Sequence, residues 1–179
     1  MVYLFLANGF EEIEALTPVD ILRRAGVKVT TVGVGGTAIL GAHGIPVDAD
    51  IPDILYADPN PDAVILPGGM PGAKNLDESR VVDAAVRTAA KHGALLAAIC
   101  AAPMVLGHKG LLAGKKAICY PGFEAELTGA EIAAARVVRD GNILTAAGMG
   151  VATEFALALA EILAGKEKAD AVRRGILAD

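Results

Sequence analysis

Residues 94–99, Ala-Leu-Leu-Ala-Ala-Ile, form a short uncharged run preceded by His92-Gly93. Such a run suits a strand of a parallel sheet, covered on both faces. Cys100 stands where that strand must end, and Pro103 follows where a helix can begin, because proline's fixed φ and missing N–H are harmless in a first helical turn. A thiol at a strand-to-helix turn lies on the carboxyl edge of the sheet with a helix N-terminus aimed at it, which favours the thiolate. Cys100 is therefore a candidate nucleophile. A buried, inert cysteine among alanines is the other reading this stretch allows.

The rest of the chain repeats the same alternation. Val2 to Ala7 reads as a first strand broken by Asn8-Gly9, and Glu11 to Ala25 as a helix whose early carboxylates suit the positive end of its dipole, with a kink or restart expected at Pro18. Val27 to Val34 closes a β-α-β unit, which crosses over in the right-handed sense. Short segments at 38–40 and 45–47 read as a hairpin or edge strands, and residues 48–62 as a loop with one helical turn. Ala63 to Leu66 is another buried strand, running into the glycine-rich loop Pro67-Gly68-Gly69-Met70-Pro71-Gly72. An amphipathic helix is expected over 77–92, a strand from Lys116 to Cys119, a short helix at 124–128, a hairpin about Asp140-Gly141, and helices over 151–163 and 167–176. This pattern implies one domain over residues 1–179, built on a mostly parallel central sheet with helices on both faces. Ligands of such sheets bind beyond the carboxyl ends of the strands. Three loops meet there: 8–14, 67–72 and 100–103.

Composition narrows the function. A formal charge of −5 with no basic run argues against nucleic acid as the ligand. No apolar stretch reaches the roughly 20 residues a membrane-spanning helix needs, and the amino terminus lacks the basic segment of a signal peptide. The two cysteines, 19 positions apart, make neither a disulfide framework nor a zinc site, so the expectation is a reducing cytoplasm and no metal.

Four stretches, in order and spanning most of the chain, carry a resemblance. They are Gly9-Phe10-Glu11-Glu12-Ile13-Glu14 with Pro18-Val19-Asp20 and Arg23-Arg24-Ala25-Gly26; Leu66-Pro67-Gly68-Gly69 with Gly72-Ala73-Lys74-Asn75-Leu76; Ala97 to Pro103; and Glu154-Phe155-Ala156-Leu157-Ala158. The chain resembles the DJ-1/PfpI superfamily, its DJ-1-like branch most closely. The resemblance implies a flavodoxin-like three-layer α/β sandwich, a homodimer, no cofactor, and a reactive cysteine on a nucleophile elbow. It makes Cys100 that cysteine and Glu14 its partner carboxyl, which without the resemblance reads as a first-turn glutamate facing water. Gly69 and Ala101 then look like N–H donors to an oxyanion. Many relatives have a histidine before the proline where this chain has Tyr120-Pro121, and often a proline where it has Met149. Tyrosine, with a reference pKa near 10, is a poor base at neutral pH, so peptidase or amidase chemistry loses ground.

Three functions compete on this reading. The first is an enzyme acting on small reactive carbonyls, of glyoxalase or protein-deglycase type, using Cys100, Glu14 and Tyr120. The second is a redox sensor or stress chaperone with an oxidisable Cys100. The third is a cysteine peptidase. Cys119, taken as adjacent to the elbow in the sheet, is a candidate resolving thiol, and His43 a loop residue able to approach a site. Ile13, Leu16 and Val19 mark a candidate dimer surface.

Overall fold

The computed structural model describes residues 1–178; Asp179, the last residue of the expected domain, lies outside them. The first half runs β1 (Val2–Leu6), α1 (Glu12–Arg24), β2 (Val29–Gly33), β3 (Ala38–Leu40), β4 (Pro46–Asp48), β5 (Ile51–Pro52), β6 (Ala63–Leu66), α2 (Gly72–Glu78) and α3 (Arg80–Lys91). The second runs β7 (Leu95–Ile99), α4 (Pro103–His108), β8 (Lys116–Ala117), β9 (Glu131–Ile132), β10 (Val137–Asp140), β11 (Ile143–Ala146), α5 (Ala152–Ala164) and α6 (Lys166–Gly175). Seven strands form the main sheet in the order β10-β11-β7-β6-β1-β2-β5, parallel except for the β10–β11 pair.

Helices cover both faces. Helices α1, α5 and α6 pack on one through Ala15, Leu22, Phe155 and Val172; α2, α3 and α4 pack on the other through Leu76, Val86 and Leu106. Strand β7 feeds both cores, with Leu95, Ala97 and Ile99 on the first side and Leu96 and Ala98 on the second, the period of two that a pleated strand imposes. Phe10 and Phe155 are wholly buried, each stabilising the fold by about 1.5–3 kcal/mol. The result is the expected flavodoxin-like sandwich.

Several details depart from the sequence reading. Helix α1 continues through Pro18 without a restart, forgoing only the hydrogen bond that an N–H there would give to the Glu14 carbonyl. The helix expected over 77–92 is two helices, because the Ser79 hydroxyl accepts the Val82 N–H at 3.3 Å and caps a new start. Ile51–Pro52 joins the sheet edge beside Val32-Gly33, a position that tolerates proline's missing donor. The β3–β4 pair is the expected hairpin, as is β10–β11. Strand β8, by contrast, stands outside the main sheet and pairs with β9.

The strand order turns back at β1, whose neighbours are β2 on one side and β6 on the other. The loops after β1, β6 and β7 therefore open onto one crevice at the carboxyl edge.

Candidate functional site

Cys100 follows β7 directly and has φ of 65°. A left-handed backbone costs a residue with a Cβ about 1–2 kcal/mol, so its neighbours must hold it. They do so through hydrogen bonds from Cys100 N–H to Ala146 O at 2.9 Å and from Tyr120 N–H to Cys100 O at 2.8 Å.

Glu14 reaches the same place from α1. It is 0% exposed, although it occupies the first turn. The cause is spacing: Glu14, Pro18, Ile21 and Ala25 recur at helical intervals along the buried stripe of α1 and its cap. Glu14 Oε2 accepts the Gly68 N–H at 3.0 Å. Its Oε1 is buried without a partner of hydrogen-bonding geometry, while the Cys100 thiol and the Met149 N–H lie near the carboxyl. Gly68 is the meeting point. A Cβ added there would lie 2.6 Å from Glu14 Oε2 and 2.7 Å from Cys100 Cβ.

Burial pushes the Glu14 carboxyl up to about 7, with the Cys100 and Gly68 hydrogen bonds opposing that rise. Burial also pushes the Cys100 thiol up to about 12, the Glu14 charge and hydrogen bond adding to it, while the Gly69 and Ala101 N–H groups pull it down. The expected helix-terminus effect is thus not the dominant one. Helix α4 has only six residues and starts beyond Cys100, so loss of hydration outweighs its dipole. The two groups titrate as a pair. While Glu14 keeps its proton, its charge no longer opposes a thiolate and its O–H becomes a donor to sulfur.

Tyr120 closes one side. Its ring carbon Cδ2 would lie 3.3 Å from a Cβ on Gly148, which would in turn sit 4.0 Å from Cys100 Sγ. A cavity of about 350 Å³ opens here, lined by Tyr120, Pro121, Arg136, Gly148, Met149 and Gly150 among others.

The model of the DJ-1/PfpI family matches residues 1–162. The chain belongs to that family. It is 41% identical to Protein dj-1beta of Drosophila melanogaster over 177 residues, 97% of this chain and 95% of that one. The crystal structure of Drosophila DJ-1beta superposes with a TM-score of 0.93, covering 98% of this chain and 96% of that one. A protein of Caenorhabditis elegans named a glutathione-independent glyoxalase is 34% identical over 167 residues, 90% of this chain and 87% of its own length. A structure described as Toxoplasma gondii DJ-1, oxidized, is 36% identical, with a TM-score of 0.91 over 98% of this chain and 97% of that one.

Against this DJ-1/PfpI background the remaining candidates separate. His43 is taken up by Glu12, whose Oε1 accepts its N–H at 2.8 Å and whose Oε2 lies 2.9 Å from its Nδ1. His108 lies between Asp77 and Glu126, and His92 caps α3 at the amino end of β7. The His43 and His108 imidazoles are thus committed elsewhere, and His92 lies at the opposite end of β7 from Cys100. Cys119 does adjoin the elbow, since the N–H of the next residue, Tyr120, donates to the Cys100 carbonyl, but it lies outside the main sheet in which it was expected. Its side chain packs in the core of the α2–α4 face whereas Cys100 packs against the other, so the two thiols are free and face apart. Burial pushes Cys119 up to about 11, as expected of an inert thiol. In the sequence Gly68 is marked only by the Pro-Gly-Gly run, and Met149 only as the residue that stands where relatives often have proline; neither has a site role on that basis.

Proposed function

We propose that this chain is a cofactor-independent enzyme converting small 2-oxoaldehydes, such as methylglyoxal, into 2-hydroxy acids, with the same carbonyl addition serving the reversal of early adducts on proteins. The observation that carries the reading is a carboxyl raised to about 7 meeting a strained cysteine across Gly68 at the carboxyl edge of the sheet. An acid–base group is most effective when its pKa lies near the working pH. The family membership and the relative named as a glyoxalase support it.

Ionised Glu14 takes the thiol proton as Cys100 Sγ bonds to the aldehyde carbon, and the Gly69 and Ala101 N–H groups hold the resulting oxyanion. Glu14 returns that proton to the oxygen, giving a hemithioacetal. It then carries a proton from the former aldehyde carbon to the adjacent carbon, while the hydroxyl proton on the first carbon's oxygen passes to the neighbouring carbonyl oxygen through an enediol, which yields the thioester of a 2-hydroxy acid. Water adds to the thioester, the C–S bond breaks, and its electron pair and a proton restore the thiol. One water is consumed, and the oxidation of one carbon balances the reduction of its neighbour. Tyr120 shields the crevice rather than serving as base.

Lactate release from methylglyoxal, followed for the wild type and Cys100→Ala, tests this. Turnover persisting unchanged in the variant would remove the reading.

A second reading has its own support: N–H donors around a partly exposed sulfur suit an oxidised cysteine, and the Toxoplasma relative is described as oxidized. Mass spectrometry after mild peroxide would then find added oxygen confined to Cys100, whereas oxidation spread over Met70, Met104 and Cys119 would count against it. Peptidase chemistry lacks an imidazole at the thiol.

The assembly we propose is a homodimer through Ile13 and Leu16 of α1 with Leu40 and Ile45 of the adjoining hairpin, all exposed large apolar side chains, whereas Val19 of the expected surface is buried in the core. Two unpaired cysteines suit a reducing compartment such as the cytoplasm. Among the described residues no helix is long and apolar enough to cross a membrane.

A further inference from the structure

We propose that Arg136 tunes this crevice toward 2-oxoaldehydes carrying a carboxylate at the far end of the molecule, an inference that rests on the carbonyl chemistry proposed above. Arg136 is the one charged residue among those lining the 350 Å³ cavity beside Cys100. It immediately precedes β10, its backbone carbonyl accepting the Ala147 N–H at 2.9 Å. Its Nη2 donates to Gly150 O at 3.0 Å, which holds one end of the guanidinium at the cavity wall. A guanidinium has five N–H donors, so most of its capacity is left to face solvent or a ligand. Arg23, Arg24 and Arg87 each have a carboxylate within 3.0 Å; among the described residues Arg136 has none in ion-pair range.

The spacing fits a short dicarboxylate-like substrate. Cys100 hydrogen-bonds to Ala146, and Ala147 to Arg136, so the backbones of Cys100 and Arg136 stand two strand spacings apart, about 10 Å. Gly148, which lines the cavity with Arg136, lies between the two, a Cβ on it being 4.0 Å from Cys100 Sγ. A five-carbon chain such as 4,5-dioxopentanoate, with an aldehyde at one end and a carboxylate at the other, presents one terminus to Sγ and the other to the guanidinium. Methylglyoxal has nothing with which to reach Arg136. The chain's formal charge of −5 repels anions at long range, so a preference for one has to arise locally, and Arg136 is the group that supplies it. The same chemistry as before applies: one water is consumed and 2-hydroxyglutarate is released.

The test compares kcat/KM for 4,5-dioxopentanoate and methylglyoxal in the wild type, Arg136→Ala, Arg136→Gln and Arg136→Lys. The ratio of the two should fall about tenfold or more in the Ala and Gln variants, as expected for loss of a charge-assisted bond, and recover in Lys. An equal loss on both substrates, or no loss on either, overturns the proposal. Alkylation of Cys100 by iodoacetate against iodoacetamide gives a readout that needs no turnover: the sulfur displaces iodide in both, and only the first reagent carries a charge. If the wild type turns over neither aldehyde, the enzymatic reading fails, and this alkylation ratio then decides whether Arg136 recognises anions. A ratio that falls in Ala and Gln upholds that role; an unaltered ratio ends it.

Discussion

Gly68 is the residue on which the crevice turns. Any side chain there meets Glu14 Oε2, Cys100 Cβ and the Ile99 carbonyl within 2.9 Å, and the last of these is backbone that cannot rotate away. Gly68→Ala should therefore leave a folded protein in which carboxyl and thiol are pushed apart, with turnover of methylglyoxal reduced about 100-fold, the scale that a displacement near 1 Å produces. Steady-state kinetics beside a circular-dichroism melt would check both halves of that statement. Glu14 gives a second prediction, in pH. Its carboxyl is raised from 4.5 to about 7, so between those values the folded chain binds more protons than the unfolded one. Its contribution is present in full below about pH 4.5 and is lost as pH rises through about 7, an effect of roughly 3 kcal/mol at most. Glu14→Gln should remove that slope from urea titrations run at several pH values, and lower turnover about 100-fold or more.

Among the elements, the segment after α4 is held by charge as well as by the short β8–β9 pairing. His108, the last residue of α4, bridges Asp77 of α2 at 2.7 Å and Glu126 of the following turn at 2.8 Å, with Lys109 also on Asp77 at 2.9 Å. Asp77 and then Glu126 raise His108 above the usual histidine value of 6.5. A histidine raised on folding contributes fully below its unfolded pKa and loses that contribution as pH rises through the folded one. The stability difference between wild type and His108→Ala should accordingly be larger at pH 6 than at pH 9 in denaturant titrations; a difference independent of pH would mean that packing, not charge, ties these elements together. Tyr120 lies on this segment and is tied to the crevice directly, its N–H donating to the Cys100 carbonyl.

At the scale of the molecule, the exposed faces of α1 and the β3–β4 hairpin adjoin, tied by the Ala42 N–H to the Phe10 carbonyl and by His43 to Glu12. Ile13 and Leu16 are 49% and 39% exposed there, with Leu40 and Ile45 at 51% and 52%. Placing a charge on this patch opposes its burial against a second copy, since an unpaired buried charge is strongly unfavourable. Leu16→Glu should shift sedimentation from dimer to monomer while the far-ultraviolet spectrum is retained. A wild type that sediments as a monomer at every concentration would dispose of the assembly itself.

The sequence by itself determined the layers of this protein. Burial repeats with period two in a strand and 3.6 in a helix, and turn residues have local preferences, so the buried run at 94–99, the Asp140-Gly141 hairpin and the final two helices could be read from a few neighbouring residues each. Cys100 at a strand end was legible for the same reason. Tertiary structure alone decided which distant groups share a crevice. Glu14 and Gly68 are 54 positions apart, and the burial that raises the carboxyl exists only once α1 is laid against the sheet. His43 was claimed by Glu12, Cys119 turned to the opposite core, and Arg136 came to the cavity edge through pairing and packing that no local pattern records. Local chemistry sets what each segment can form; hydration lost and neighbours gained on packing set what its side chains can do.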